Sequence, residues 1–209
     1  MITVKQMRQL ERQAQKHGLF AKDLMENAGR KVYEIVKEKY DLDNKRAVIF
    51  CGSGNNGGDG FVAARYFSEE APVVILFFGH EENFTEETKE NYEKIKGKVT
   101  IIPIENKEDL QKFHFQPDHE LILIDALLGT GFQGEVREPI ITAIDHFNSL
   151  EGIKVAIDIP SGVNADTGEY EKKCEADLVI TMHDLKTGME EYRDKTTIAD
   201  IGLIKNEND

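Results

Sequence analysis

The sequence predicts an α/β fold: three layers, with a mostly parallel central sheet between helices. Three observations point there. The runs VVILFF (Val73–Phe78) and LILID (Leu121–Asp125) are continuously apolar or nearly so and do not alternate, as expected of strands covered on both faces. Short runs of this kind are interleaved with segments of helical periodicity, the order that builds parallel sheets. A glycine-rich turn, GSGNNGGDG (Gly52–Gly60), separates the first strand from a helix.

The elements follow in order. Thr3 and Gln6 have capping-box spacing, and Met7, Leu10 and Ala14 form a narrow apolar stripe on a first helix that Gly18 stops. A second helix carries Leu24, Met25, Ala28, Val32, Ile35 and Val36 on one face, with Met25–Asn27 candidates to border a pocket. Strands are predicted at Arg46–Cys51, Pro72–Phe78, Val99–Pro103, Leu121–Asp125, Val155–Asp158, Leu178–Thr181 and Thr197–Ile201. Helices are predicted at Gly60–Ser68, Thr85–Lys96 and Pro139–Phe147, the last with proline in its first turn. The predicted class is thus a Rossmann-like three-layer α/β/α sandwich. The acidic patches, including the tail Asn206–Asp209, read as solvated surface, with the tail frayed.

Composition bounds the function. The chain has 209 residues, 40% hydrophobic and 31% charged, enough for one domain over 1–209. A formal charge of −13 argues against a protein that tracks nucleic-acid phosphates. No apolar run approaches the roughly 18 residues of a membrane span. Cys51 and Cys174, only two and far apart, read as reduced thiols of a cytoplasmic protein.

Four segments leave strand ends and change composition at once: Gly52–Gly60, Asp125–Gly134 (DALLGTGFQG), Asp158–Gly168 (DIPSGVNADTG) and Thr181–Gly188 (TMHDLKTG). In an open parallel sheet they meet beyond the carboxyl ends of the strands, where ligands bind. Gly52, Gly54 and Gly57 have the spacing of a dinucleotide fingerprint, followed by a helix whose N-terminus favours phosphate. Gly58 stands where a phosphate-binding loop of the P-loop type needs lysine. Ser161 lacks the flanking glycines of a nucleophile elbow, which argues against a hydrolase. Asp59, Asp125 and Asp158 are expected to share the crevice, where like charges raise one another's proton affinity unless a cation compensates. No Cys/His set has zinc spacing, and the available ligands are hard oxygens: the Asn56 amide, the Asp125 carboxylate and the Ser161 hydroxyl. One carboxylate among neutral oxygens suits a monovalent ion.

GSGNNGGDGFVAAR, DALLGTGFQG, AIDIPSGVNADTG, ADLVIT with Lys186 and Gly188, ADIGL and the early LMENAG together resemble the YjeF N-terminal domain, the family of NAD(P)H-hydrate epimerases. The match runs from about Thr3 to Leu203. The resemblance implies interconversion of the R and S forms of NADHX and NADPHX, so that a separate S-specific dehydratase can regenerate NAD(P)H. It implies substrate contacts at Asn55, Asn56, Gly57, Gly58 and Asp59, along Gly129, Thr130, Gly131, Phe132, Gln133, Gly134 and Glu135, and at Asp158. It further implies one potassium ion (K+) per subunit on Asn56, Asp125 and Ser161, and a homodimer. The expected chain is a stand-alone epimerase domain without a fused C-terminal dehydratase, and Asp158 is the expected acid–base group, with Asp59 in reserve. The alternatives are an ordinary dinucleotide-dependent dehydrogenase, for which Glu81 is the loosely placed ribose acid, and a non-catalytic scaffold or nucleotide-binding module.

Overall fold

A computed structural model of the chain describes residues 1–111 and 119–203; the acidic tail Asn206–Asp209 lies outside the described residues. Its helices are α1 (Val4–Lys16), α2 (Ala21–Tyr40), α3 (Asn55–Phe67), α4 (Glu86–Ile95), α5 (Lys107–Gln111) and α6 (Ile140–Ser149). Its strands are β1 (Lys45–Cys51), β2 (Val73–Phe77), β3 (Thr100–Pro103), β4 (Glu120–Ala126), β5 (Ile153–Ile157), β6 (Leu178–Met182) and β7 (Thr196–Ala199). They form one sheet in the order β3-β2-β1-β4-β5-β6-β7, and every pairing is parallel. The chain runs outward from β1 to β3, then returns to the other side of β1 as β4. The crevice between β1 and β4 is therefore the switch point at which a doubly wound sheet opens.

Neighbouring residues of a strand serve opposite layers. Ala47, Ile49 and Cys51 of β1 pack with Val32, Val36, Phe61 and Ala64 of α2 and α3. Val48 and Phe50 face the other way, onto Ala143, Ile144 and Phe147 of α6. Both sets are buried, which is why the strands are apolar without alternation. Phe50 stacks on Phe78 with ring centroids 5.7 Å apart and meets Phe147 edge-on at 5.2 Å, both favourable aromatic geometries. A third cluster, with Val4, Ile159, Val163, Met189 and Tyr192, seals the β6 end.

The capping box forms as read: Gln6 N–H donates to Thr3 Oγ1, and Thr3 N–H to Gln6 Oε1 at 2.9 Å. Thr85 caps α4 through the Thr88 N–H. The starts of two helices differ from the sequence reading. Helix α3 begins at Asn55 instead of Gly60, so the glycine-rich segment is largely the first turns of a helix. Intrinsic propensity disfavours glycine there; tertiary packing overrides it, because α3 lies so close to its neighbours that a Cβ on Gly57 would be 1.9 Å from Gly52 O. Pro139 is the N-cap of α6 and lies just outside the helix. The charged segment after Lys186 forms a 3-10 stretch, Thr187–Lys195, anchored by buried Met189 and Tyr192.

Candidate active site

At the carboxyl ends of β1, β4, β5 and β6 lies a cleft of about 800 Å³. Its walls come from the turn Gly52–Gly54, from Asn55, Asn56 and Asp59 of α3, from Leu127–Phe132 after β4, from Asp158 after β5 and from Met182. Of the residues singled out in the sequence, Asn55, Asn56, Asp59, Gly129, Thr130, Gly131, Phe132 and Asp158 reach this cleft. Gly57 and Gly58 are buried beneath it, where they let α3 approach β1 and α2. Gln133 lines a smaller depression alongside, while Gly134 and Glu135 are exposed on the loop beyond.

Asp158 sits on a left-handed backbone, φ 65°, just past the end of β5. The Met182 N–H donates to Oδ1 at 3.1 Å and Thr181 Oγ1 to the same oxygen at 3.3 Å. The ammonium of Lys186 donates there too, and also to Thr181 Oγ1 at 2.9 Å and to Met182 O at 2.8 Å. Lys186 is fully buried. The start of the chain fixes it: Ile2 pairs with Lys186 in a parallel bridge, with Ile2 N–H to Leu185 O at 2.8 Å and Thr187 N–H to Ile2 O at 3.1 Å. A buried lysine needs this degree of pairing.

Asp59 is the second carboxyl. Burial, and then the charges of Asp158 and Glu11, push its proton affinity well above the ordinary carboxylate range, with Lys186 opposing. Glu11 of α1, which the sequence reading passed over, is raised as well, by burial first and by Asp158 second. Helix α1 forms one wall of the cleft through Met7, Arg8, Glu11, Arg12 and Gln15. The polar side of an amphipathic helix reads in sequence as solvated surface; only the tertiary placement reveals otherwise.

The third expected carboxylate, Asp125, does not reach the crevice. It is fully buried under the cleft floor, where Ser161 N–H donates to Oδ2 at 2.7 Å and Ser161 Oγ to Oδ1 at 2.5 Å. Burial raises its proton affinity, and the hydrogen bonds from Ser161 counter part of that rise. Ser161 Oγ in turn accepts the Leu128 N–H at 2.8 Å, and Asn56 Nδ2 donates to Leu128 O at 3.0 Å. Asn56 Oδ1 is buried with no hydrogen-bond partner. A buried acceptor left unpaired costs on the order of 1–3 kcal/mol. Together with the Asp125 charge, it makes a compact set of hard oxygens that fits a cation. Met25 borders the cleft as expected, whereas Glu26 ties to Arg65 and Asn27 to Ile201 O. Glu81 accepts from the Tyr92 hydroxyl at 2.8 Å and is not part of the cleft wall.

Residues 21–188 match the family described as YjeF-related protein N-terminus. A relative from Nitrosopumilus maritimus named NAD(P)H-hydrate epimerase is 38% identical over 201 residues, covering 93% of this chain and 90% of that protein. Another of that name, from Cenarchaeum symbiosum, is 36% identical and covers 97% and 95%. A bifunctional NAD(P)H-hydrate repair enzyme from Archaeoglobus fulgidus is 37% identical over 97% of this chain, which spans 41% of that enzyme's length. The crystal structure of yeast ynu0 superposes with a TM-score of 0.80 at 22% identity, over 95% of this chain and 86% of its own, and so shares the fold. With the motif order, the cleft at the switch point and relatives aligned nearly end to end, this chain belongs to the family of YjeF-related N-terminal domains.

Proposed function

We infer that this chain is an isomerase, an NAD(P)H-hydrate epimerase that interconverts the R and S forms of NADHX and NADPHX. Its family and its near-full-length relatives support that reaction. The single observation that carries the site assignment is the meeting of Asp158, charge-balanced by buried Lys186, with Asp59, whose environment favours the protonated form.

The reacting carbon of the hydrate carries a hydroxyl beside a ring nitrogen. Inversion requires that hydroxyl to leave and return on the other face, or the ring to open and close; neither moves a hydride. Asp59 holds a proton where a departing hydroxyl needs one, and Asp158 accepts the proton of the oxygen that returns. Lys186 pairs with the Asp158 carboxyl and orients it. Phe132, Leu127 and Met25 supply apolar wall that limits water around the ring.

A potassium ion, one per subunit, fits the oxygens of Asn56, Asp125 and Ser161. The unpartnered Asn56 Oδ1 is the structural support for this proposal. When bound, the ion supplies a fixed positive charge beside Asp125, and the residues around it hold the loop after β4 against α3. Substrate contacts at Asn55, Asn56, Gly129, Thr130, Gly131 and Phe132 belong to the same proposal, as do a homodimer, a cytoplasmic site of action and consumption of the S epimer by a separate dehydratase. Among the described residues, no helix is long and apolar enough to cross a membrane.

The test is a chromatographic or NMR time course on one purified NADHX epimer, with spontaneous epimerisation subtracted, in K+ and in Na+ at equal ionic strength. Acceleration by the wild type, and its collapse in Asp158→Asn, is the expected result. A variant that epimerises at the wild-type rate removes Asp158 from the mechanism. A rate indifferent to the alkali ion, with no K+-dependent rise in melting temperature, removes the metal site.

A further inference from the structure

The chain carries 39 acidic against 26 basic residues, yet its cleft must hold an anion if it takes a dinucleotide. Among the described residues that line the cleft, Glu11, Asp59, Glu87 and Asp158 are acidic, and the cations are Arg8 and Arg12 alone. These two arginines are four residues apart on α1 and so share one helix face. The Nη2 of Arg8 is 3.9 Å from where a Cβ on Gly131 would stand, which places it over the glycine loop after β4. Among the described residues, neither guanidinium is tied to a carboxylate by an ion pair. Both also line the adjoining depression of about 260 Å³, together with Lys5 and Gln133. Asp166 lines that depression too, but its Oδ1 accepts the Val4 N–H at 2.8 Å and so caps α1.

We propose that Arg8 and Arg12 form a clamp for the diphosphate of the bound dinucleotide. This rests on the reading of the cleft as an NAD(P)H-hydrate site. Position along α1 selects the diphosphate over the 2′-phosphate of the NADPHX adenosine. Glu11, between the two arginines in sequence, lines the same cleft as Asp59 and Asp158 and lies within electrostatic reach of Asp158 and Lys186. The arginines therefore stand on a wall of the same cleft as the carboxyls that act on the nicotinamide ring, with Arg8 over the loop after β4. The diphosphate is one ribose away from that ring, and the 2′-phosphate lies at the far end of the molecule. Guanidinium forks match phosphate oxygens in a bidentate way that an ammonium does not.

The experiment uses Arg8→Gln, Arg12→Gln and the corresponding lysine variants of the full chain. Binding of ADP-ribose, which has the diphosphate but neither the nicotinamide nor a 2′-phosphate, is followed by calorimetry at low and high salt, beside KM and kcat for NADHX and NADPHX. Each Gln variant is expected to weaken ADP-ribose binding about tenfold, as loss of one charge-assisted contact does. KM should rise by a similar factor for both substrates, with kcat within about twofold, and lysine should restore part of the loss. Because both side chains are exposed, the melting temperature should stay near the wild type's. Unchanged ADP-ribose affinity overturns the clamp, as does failure of the wild type to bind it. A loss confined to NADPHX also overturns it, by moving the arginines to the 2′-phosphate. If ADP-ribose binding responds as expected while no epimerisation is found, the reaction assignment fails and the clamp stands.

Discussion

Replacing Lys186 by Met preserves most of the side chain's volume and removes its charge, so the effect isolates electrostatics from packing. The lysine is fully buried and donates to Asp158, to Thr181 Oγ1 at 2.9 Å and to Met182 O at 2.8 Å. Breaking a buried pair by removing one partner costs about 3–5 kcal/mol, because the other charge is left uncompensated. Asp158 retains the Met182 N–H and is 13% exposed through the cleft, so water relieves part of that penalty and the lower end, about 3 kcal/mol, is expected. With a urea m-value of about 2–3 kcal/mol per molar, the unfolding midpoint should drop by about 1–1.5 M. The double variant Lys186→Met with Asp158→Asn removes the orphaned charge along with its partner. It should be more stable than Lys186→Met alone, a coupling that a double-mutant cycle reads directly. Additive losses, or a midpoint unchanged in Lys186→Met, would refute the account of Lys186 as the compensating charge for Asp158.

Three further outcomes can be checked by thermal or urea unfolding. Gly57→Ala should prevent soluble folding or cost several kcal/mol, since its Cβ would stand 1.9 Å from a backbone oxygen, whereas Gly54→Ala, with open space around its Cβ, should cost about 1 kcal/mol or less as a weaker N-cap. Asp59→Asn should stabilise the fold at neutral pH: a carboxyl raised in the folded state contributes stability below its unfolded pKa and loses it as pH rises through the folded value. The advantage of the Asn variant should therefore vanish in acid, and a pH-independent difference would contradict the assignment. Thr3→Ala removes the capping side chain of α1 and should cost about 1 kcal/mol, with a matching loss of substrate affinity if α1 walls the cleft.

The strands and most of the helices were legible because each is a local statement: apolar runs for β1, β2 and β4, a stripe for α2, a capping box for α1. The convergence of four loops was legible from topology, since parallel strands deliver their carboxyl ends to one side. Local sequence could not show that Asn55–Asp59 are helical, because glycine and asparagine disfavour helix except where close packing compels it. Nor could it separate Asp125 from Asp59 and Asp158. Asp125 and Asp158 stand at strand ends and Asp59 in the helix that follows β1, all in segments that lead to the crevice, and the hydrogen bonds from Ser161 hold Asp125 below the floor. Glu11, Arg8 and Arg12 were hidden for a related reason: a polar helix face carries no mark of whether water or a substrate cleft lies against it. Lys186 was noticed, but its burial depends on a bridge to Ile2, the second residue of the chain.

The backbone of Asp158 constrains what a saturation library at that codon would return. At φ 65° a side chain with a Cβ is strained unless it is Asn or Asp, while Gly fits freely. Folded survivors should thus be enriched in just these residues, whether or not the library is screened for turnover. Comparing Asn, which keeps the conformation and loses the charge, with Ala, which loses both, divides the position's contribution into shape and chemistry.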